Sequence, residues 1–105
     1  MDKTEAIKIA KKYLENVGNR YQIKSAILFG SFAQGTNHPE SDIDLAIVFE
    51  SIDDVFDLQV NLMQMRSDDD LLIEPHPFRL SDFTIADPLV NEILKKGIEL
   101  VDFAA

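Results

Sequence analysis

At 105 residues, 46 % of them apolar, the chain has enough hydrophobic material for one core and not for two, so a single domain over residues 1–105 is expected. Ten Lys and Arg against 19 Asp and Glu give a net charge of −9, which opposes DNA or RNA lying on a basic face but leaves room for a small anion bridged by metal ions. The lack of cysteine excludes disulfides, zinc–thiolate sites and thiol catalysis, while a mixed-charge N-terminus and no membrane-length apolar run make a cytoplasmic location, with no membrane partner, the expectation.

From Thr4 to Val17, Ala6, Ile7, Ala10, Tyr13, Leu14 and Val17 recur at helical spacing, and Gly18 is placed to end the helix. Ile23 to Phe29 is short, apolar and punctuated, as a buried strand is. A Gly30-Ser31 turn follows, then a brief helix over Phe32 to Gln34 and a polar loop from Gly35 to Ser41. Ile43 to Phe49 is a second strand, with Ile43, Leu45, Ile47 and Phe49 on one face and Asp42, Asp44, Ala46 and Val48 on the other. Ser51 and Asp54 resemble a capping box opening a helix whose buried stripe is Val55, Leu58, Leu62 and Met65. Leu71 to Glu74 is expected as a third strand, stopped by Pro75 and Pro77. Asp87-Pro88 starts a last helix, Lys95-Lys96-Gly97 closes it, and Ile98 to Val101 can add an edge strand. The order implies an α/β (α+β) domain, a small sheet with helices packed on it.

Chemistry concentrates at Asp42 and Asp44. A strand projects both carboxylates to one side, their Cα atoms roughly 7 Å apart, so they can converge on one or two hard cations. Two Mg²⁺ ions there would take phosphate oxygens as further ligands and suit phosphoryl or nucleotidyl transfer. Gly30 allows the backbone to approach a phosphate closely, and Ser31 adds a hydroxyl donor. Asp70 and Glu74 are the candidates for a third acidic ligand; on one strand they lie roughly 13 Å apart, so one alone can reach the centre. A helical crossover makes strands two and three parallel, which sets their starting ends side by side and selects Asp70 as metal ligand and candidate general base. His38 and His76 are read as surface or loop-packing residues, and Phe49, Phe56, Phe78 and Met63 as core or a partner-facing patch. No Gly-x-x-x-x-Gly-Lys-Ser/Thr segment is present, which argues against a P-loop ATPase.

Gly30-Ser31-Phe32-Ala33-Gln34-Gly35 followed by Ser41-Asp42-Ile43-Asp44-Leu45, with ten residues between Ser31 and Asp42, resembles the minimal nucleotidyltransferase (MNT) family of the DNA polymerase β-type nucleotidyltransferase superfamily. The resemblance covers essentially the whole chain. It implies a nucleotidyltransferase fold, a small mixed sheet of three core strands flanked by helices. It also implies catalytic and metal-binding roles for Asp42, Asp44 and Asp70, nucleotide binding by Gly30 and Ser31, two Mg²⁺ ions, and ATP as the donor of AMP to an acceptor hydroxyl. The family's third acid lies between apolar neighbours; Asp69 precedes Asp70 here, which keeps Glu74 in play. MNT relatives are typically the antitoxin of a pair with a helical HEPN toxin, whose tyrosine they can adenylylate. A HEPN-type partner is thus implied, and a homo-oligomer stays open. The rival readings are a non-catalytic antitoxin acting by occlusion and an NTP-sensing module.

Overall fold

Asp2 starts the first helix, α1 (Lys3–Arg20), by accepting the Glu5 N–H at 2.8 Å on its carboxylate. The structure, a computed structural model, describes residues 1–102. Ala6, Ala10, Tyr13, Leu14 and Val17 form the buried stripe of α1. The helix does not stop at Gly18: it continues to Arg20, where the Tyr21 N–H donates to the Val17 carbonyl at 2.8 Å. One glycine costs about 1 kcal/mol in a helix, too little to break one anchored by five buried side chains.

β1 (Ile23–Phe29) and β2 (Ile43–Phe49) pair antiparallel on either side of the short α2 (Ser31–Gln34). α3 (Val55–Gln64) begins at Asp54, whose carboxylate accepts the Asp57 N–H at 3.1 Å; Asp54, not Ser51, is the cap. A 3-10 turn over Asp68–Asp70 leads into β3 (Ile73–Arg79), which runs parallel to β2. A second 3-10 turn, Leu80–Asp82, precedes α4 (Pro88–Lys96), capped by Asp87 and ended at Gly97. β4 (Ile98–Asp102) lies antiparallel to β1, giving the sheet order β3-β2-β1-β4.

β3 departs most from the expected pattern, since it contains both prolines instead of stopping before them. It is an edge strand. The Ile43 N–H donates to the Leu72 carbonyl at 2.7 Å, so by strand alternation the backbones of Glu74, His76 and Phe78 face β2. Pro75 and Pro77 then direct their N–H-less nitrogens outward, where no ladder bond is lost. The Pro75 carbonyl is met from outside the sheet by Gln59 Nε2 at 2.6 Å.

The main core lies on the face carrying Leu28, Ile43, Leu45, Ile47 and Ile73, against the stripe of α1, Phe32, Leu58 and Leu62. Ile27, Ala46 and Ile93 make a smaller cluster with Phe29, Phe78 and Phe83 on the opposite face, beneath α4. Asp44 belongs to that second face, so its carboxylate escapes the main core at the edge of an apolar patch.

Candidate active site

Register decides which side chains meet. Asp44 in β2 stands between Phe29 of β1 and Glu74 of β3, so Glu74 projects beside it on the same face. Two residues on, His76 brings Nε2 to 3.3 Å from Asp44 Oδ1, and Phe29 packs on its ring at 5.1 Å between centroids. One donor atom each from Asp44, Glu74 and His76 lie within 4.8 Å of one another.

Glu74 titrates above the usual carboxylate range. Burial is the largest cause, followed by a hydrogen bond with Asp42 and the charge of Asp44, with His76 acting in the opposite sense. Asp42, exposed just before β2, is therefore in contact with Glu74, and three carboxylates crowd one spot. The loop before it is fixed by Ser41, whose buried hydroxyl accepts the His38 N–H at 2.8 Å. Like charges packed this way favour a proton or a cation between them.

Gly30 closes the site from the β1 side. Its φ of 77° and ψ of −152° form a combination that side-chain-bearing residues avoid. A Cβ at Gly30 would run into Asp44 Oδ2 and sit 3.3 Å from Cγ. The glycine bend and the Asp44 carboxylate are thus in direct apposition. Ser31 follows as the first residue of α2, half-buried, and the turn is tied by Gln34 N–H to the Gly30 carbonyl at 3.1 Å.

Asp70 is not brought to this group. It is not on β3 but in the 3-10 turn before it, 7 % exposed, where its carboxylate accepts the backbone N–H and, at 3.1 Å, the hydroxyl of Ser67. The start of β3 falls at Ile73, opposite Ile43, and this register sets Glu74 where alignment of an earlier-starting strand had put Asp70. His76 was missed as a site residue. Its signal was nonetheless present: Glu74-x-His76 repeats, one strand over, the period-two spacing of Asp42-x-Asp44.

The family described as "Polymerase beta, Nucleotidyltransferase" matches residues 8–103. The chain belongs to that family. This nucleotidyltransferase domain is also 38 % identical, over 47 residues, to "Putative protein adenylyltransferase MJ1379" of Methanocaldococcus jannaschii. That match spans 45 % of this chain and 47 % of the relative, about half the length of each. Among solved structures, a "putative nucleotidyltransferase from Sulfolobus solfataricus" superposes with a TM-score of 0.74 at 20 % identity, covering 96 % of this chain and 84 % of that one. A toxin–antitoxin structure with AMP-PNP gives 0.66 at 24 % identity, over 93 % and 74 % of the two chains. A mutant of the toxin–antitoxin MntA-HpeT gives 0.61 at 21 %, over 99 % and 76 %. At these identities the structural likenesses establish the fold of the nucleotidyltransferase domain.

The family implies a divalent cation, and the donor set fits one. Carboxylate oxygens from Asp44 and Glu74 converge with an imidazole nitrogen, and Asp42 adds a further carboxylate at the rim. Donors 3.3 Å apart, as His76 Nε2 and Asp44 Oδ1 are, match neighbouring ligands on a cation with bonds of about 2.1 Å, which lie roughly 3.0–3.4 Å apart.

Proposed function

We propose that the domain transfers AMP from ATP to a hydroxyl of a partner protein, and that this partner is a helical toxin of HEPN type held in check by the modification. The observation that carries the reading is the apposition of Gly30 to the Asp44 carboxylate, with Glu74 beside it across a parallel register. In this reading the third carboxylate is Glu74 and not Asp70, because only Glu74 reaches Asp44. Support for the partner comes from the relatives: one named a protein adenylyltransferase, and two structures of toxin–antitoxin complexes.

A divalent cation, Mg²⁺ by family resemblance and in two copies, would neutralise phosphate charge and polarise the α-phosphorus when bound by Asp42, Asp44 and Glu74. The chain's own groups do the rest. Gly30, having no Cβ, lets the Asp44 carboxylate lie against the bend, whose backbone would meet the phosphates, and Ser31 offers its hydroxyl to a terminal phosphate oxygen. The acceptor oxygen bonds to the α-phosphorus as the α–β bridging bond breaks and pyrophosphate leaves. The acceptor proton passes to a carboxylate, and Glu74, beside Asp44 on the neighbouring strand, is the residue placed to take it.

The test is mass spectrometry of the partner after incubation with this protein, ATP and Mg²⁺. A mass increment of one AMP, lost with Asp44→Asn, is the expected result. A tight complex without any mass change, persisting in Asp44→Asn, would replace transfer with occlusion.

A further inference from the structure

We propose that the centre formed by Asp44, Glu74 and His76 is a mixed nitrogen–oxygen site that selects first-row transition ions such as Co²⁺ over Mg²⁺, with His76 Nε2 as a direct ligand. The proposal rests on the cation-binding part of the reading above and adds the ligand that sets its metal preference.

The geometry is the first argument. Two strands deliver the three donors: Asp44 from β2, and Glu74 and His76 two residues apart on the same face of β3. Nε2 points at Asp44 Oδ1, and the Phe29 ring holds the imidazole in that orientation. A cation bonded to both Nε2 and Oδ1 replaces the 3.3 Å hydrogen-bond contact by a ligand edge of nearly the same length, with a turn of the ring aiming the Nε2 lone pair at the ion.

Donor chemistry is the second. Mg²⁺ takes oxygen ligands in near-octahedral array and gains little from imidazole. Across the first row, affinity at nitrogen-containing sites climbs from Mn²⁺ through Co²⁺ to Ni²⁺ and Cu²⁺, and imidazole favours the later ions. Histidine nitrogen is a softer donor than the carboxylates beside it, and the chain has two histidines. His38 lies in the loop ahead of β2, where its Nδ1 faces the Glu40 N–H at 3.2 Å. His76 alone is in the cluster.

The competing role for His76 is orientation of Asp44 through a hydrogen bond, with no bond to metal. The two roles differ in what substitution does. An orienting partner typically changes metal affinity 10–100-fold, and does so for every ion alike. A nitrogen ligand changes the ratio between ions.

Calorimetric titration of the protein alone, without nucleotide or partner, with Mg²⁺, Mn²⁺ and Co²⁺ separately reads this directly. Co²⁺ should bind at least about tenfold more tightly than Mg²⁺, with Mn²⁺ between them. His76→Asn, which keeps a polar group beside Asp44, should bring the Co²⁺ to Mg²⁺ ratio down several-fold or more. Equal weakening of all three ions, leaving the ratio intact, would overturn the proposal. A second measurement needs no variant: on Co²⁺ addition, proton NMR should show strongly shifted ring resonances for His76 and none for His38. An unshifted His76 ring would also refute direct ligation. Failure of AMP transfer with the Co²⁺ preference retained would remove the functional reading and leave the metal assignment standing. Transfer proceeding normally at a site with no Co²⁺ preference would do the reverse.

Discussion

Gly30→Ala tests the site at its tightest point. The residue sits at φ 77° and ψ −152°, a conformation costing roughly 1–3 kcal/mol once a Cβ is present. The new Cβ also overlaps Asp44 Oδ2, so the Asp44 side chain must leave its rotamer or the bend must open, at about 0.5–1.5 kcal/mol more. The sum, roughly 1.5–4.5 kcal/mol, is below the 5–15 kcal/mol stability usual for a domain, so the variant should fold with a lowered midpoint. Urea unfolding followed by circular dichroism measures this, with an unchanged slope expected. Displacing the Asp44 carboxylate by about an ångström should also cut AMP transfer on the order of 100-fold. Gly18→Ala is the matched control: it lies inside α1, at negative φ, with no atom within 4 Å of an added Cβ. It should gain about 0.5–1 kcal/mol. Gly30→Ala within about 0.5 kcal/mol of the wild type, with full activity, would refute the apposition of bend and carboxylate.

Glu74→Gln and Asp70→Asn should separate chemistry from structure. The first is expected to lower transfer at least 100-fold with little change in stability, and the second to leave transfer near normal but cost about 1–2 kcal/mol through weakened bonds to Ser67. Steady-state rates and urea midpoints on the same preparations decide between them, and the reversed pattern would restore Asp70 to the site. Tyr13→Phe removes the hydroxyl that donates to the Leu62 carbonyl at 2.5 Å and should cost about 1–2 kcal/mol at neutral pH. Burial, then the nearby Asp70 charge, raises the Tyr13 pKa, with Arg66 opposing. The protonated folded form therefore contributes stability below the unfolded value of about 10, and that contribution is lost as pH rises beyond it. Tyr13→Phe should consequently show a shallower alkaline loss of stability, and an alkaline limb as steep as the wild type's would count against a buried, protonated Tyr13.

Where local chemistry sets an element, the sequence was enough. β1 and β2 match their expected bounds because Gly30 and the Asp42-x-Asp44 alternation mark their ends. α4 was legible from both ends, since Asp87 accepts the Leu89 N–H at 2.8 Å and Gly97 donates to the Ile93 carbonyl. What could not be read locally was the sheet position of β3. Proline stops a strand only where its missing N–H would have paired, and that depends on which neighbours the strand has. Reading Pro75 and Pro77 as stops shortened the strand at its far end and left its start open by two residues. The same slip put Asp70 on the strand and left His76 off it. Which acid stands beside Asp44 was thus a question of register. Likewise the cap of α3 was assigned to Ser51 because the pattern fits at both positions, and only the chain's path shows that Asp54 accepts the bond.

The outer margin of β3 has a bearing on assembly. An extended peptide seeking to lengthen the sheet beside β3 would find no donors at positions 75 and 77, and the Pro75 carbonyl already taken by Gln59. Recruitment by strand addition is closed on that flank. The same two rings keep copies of the domain from zipping together along this edge.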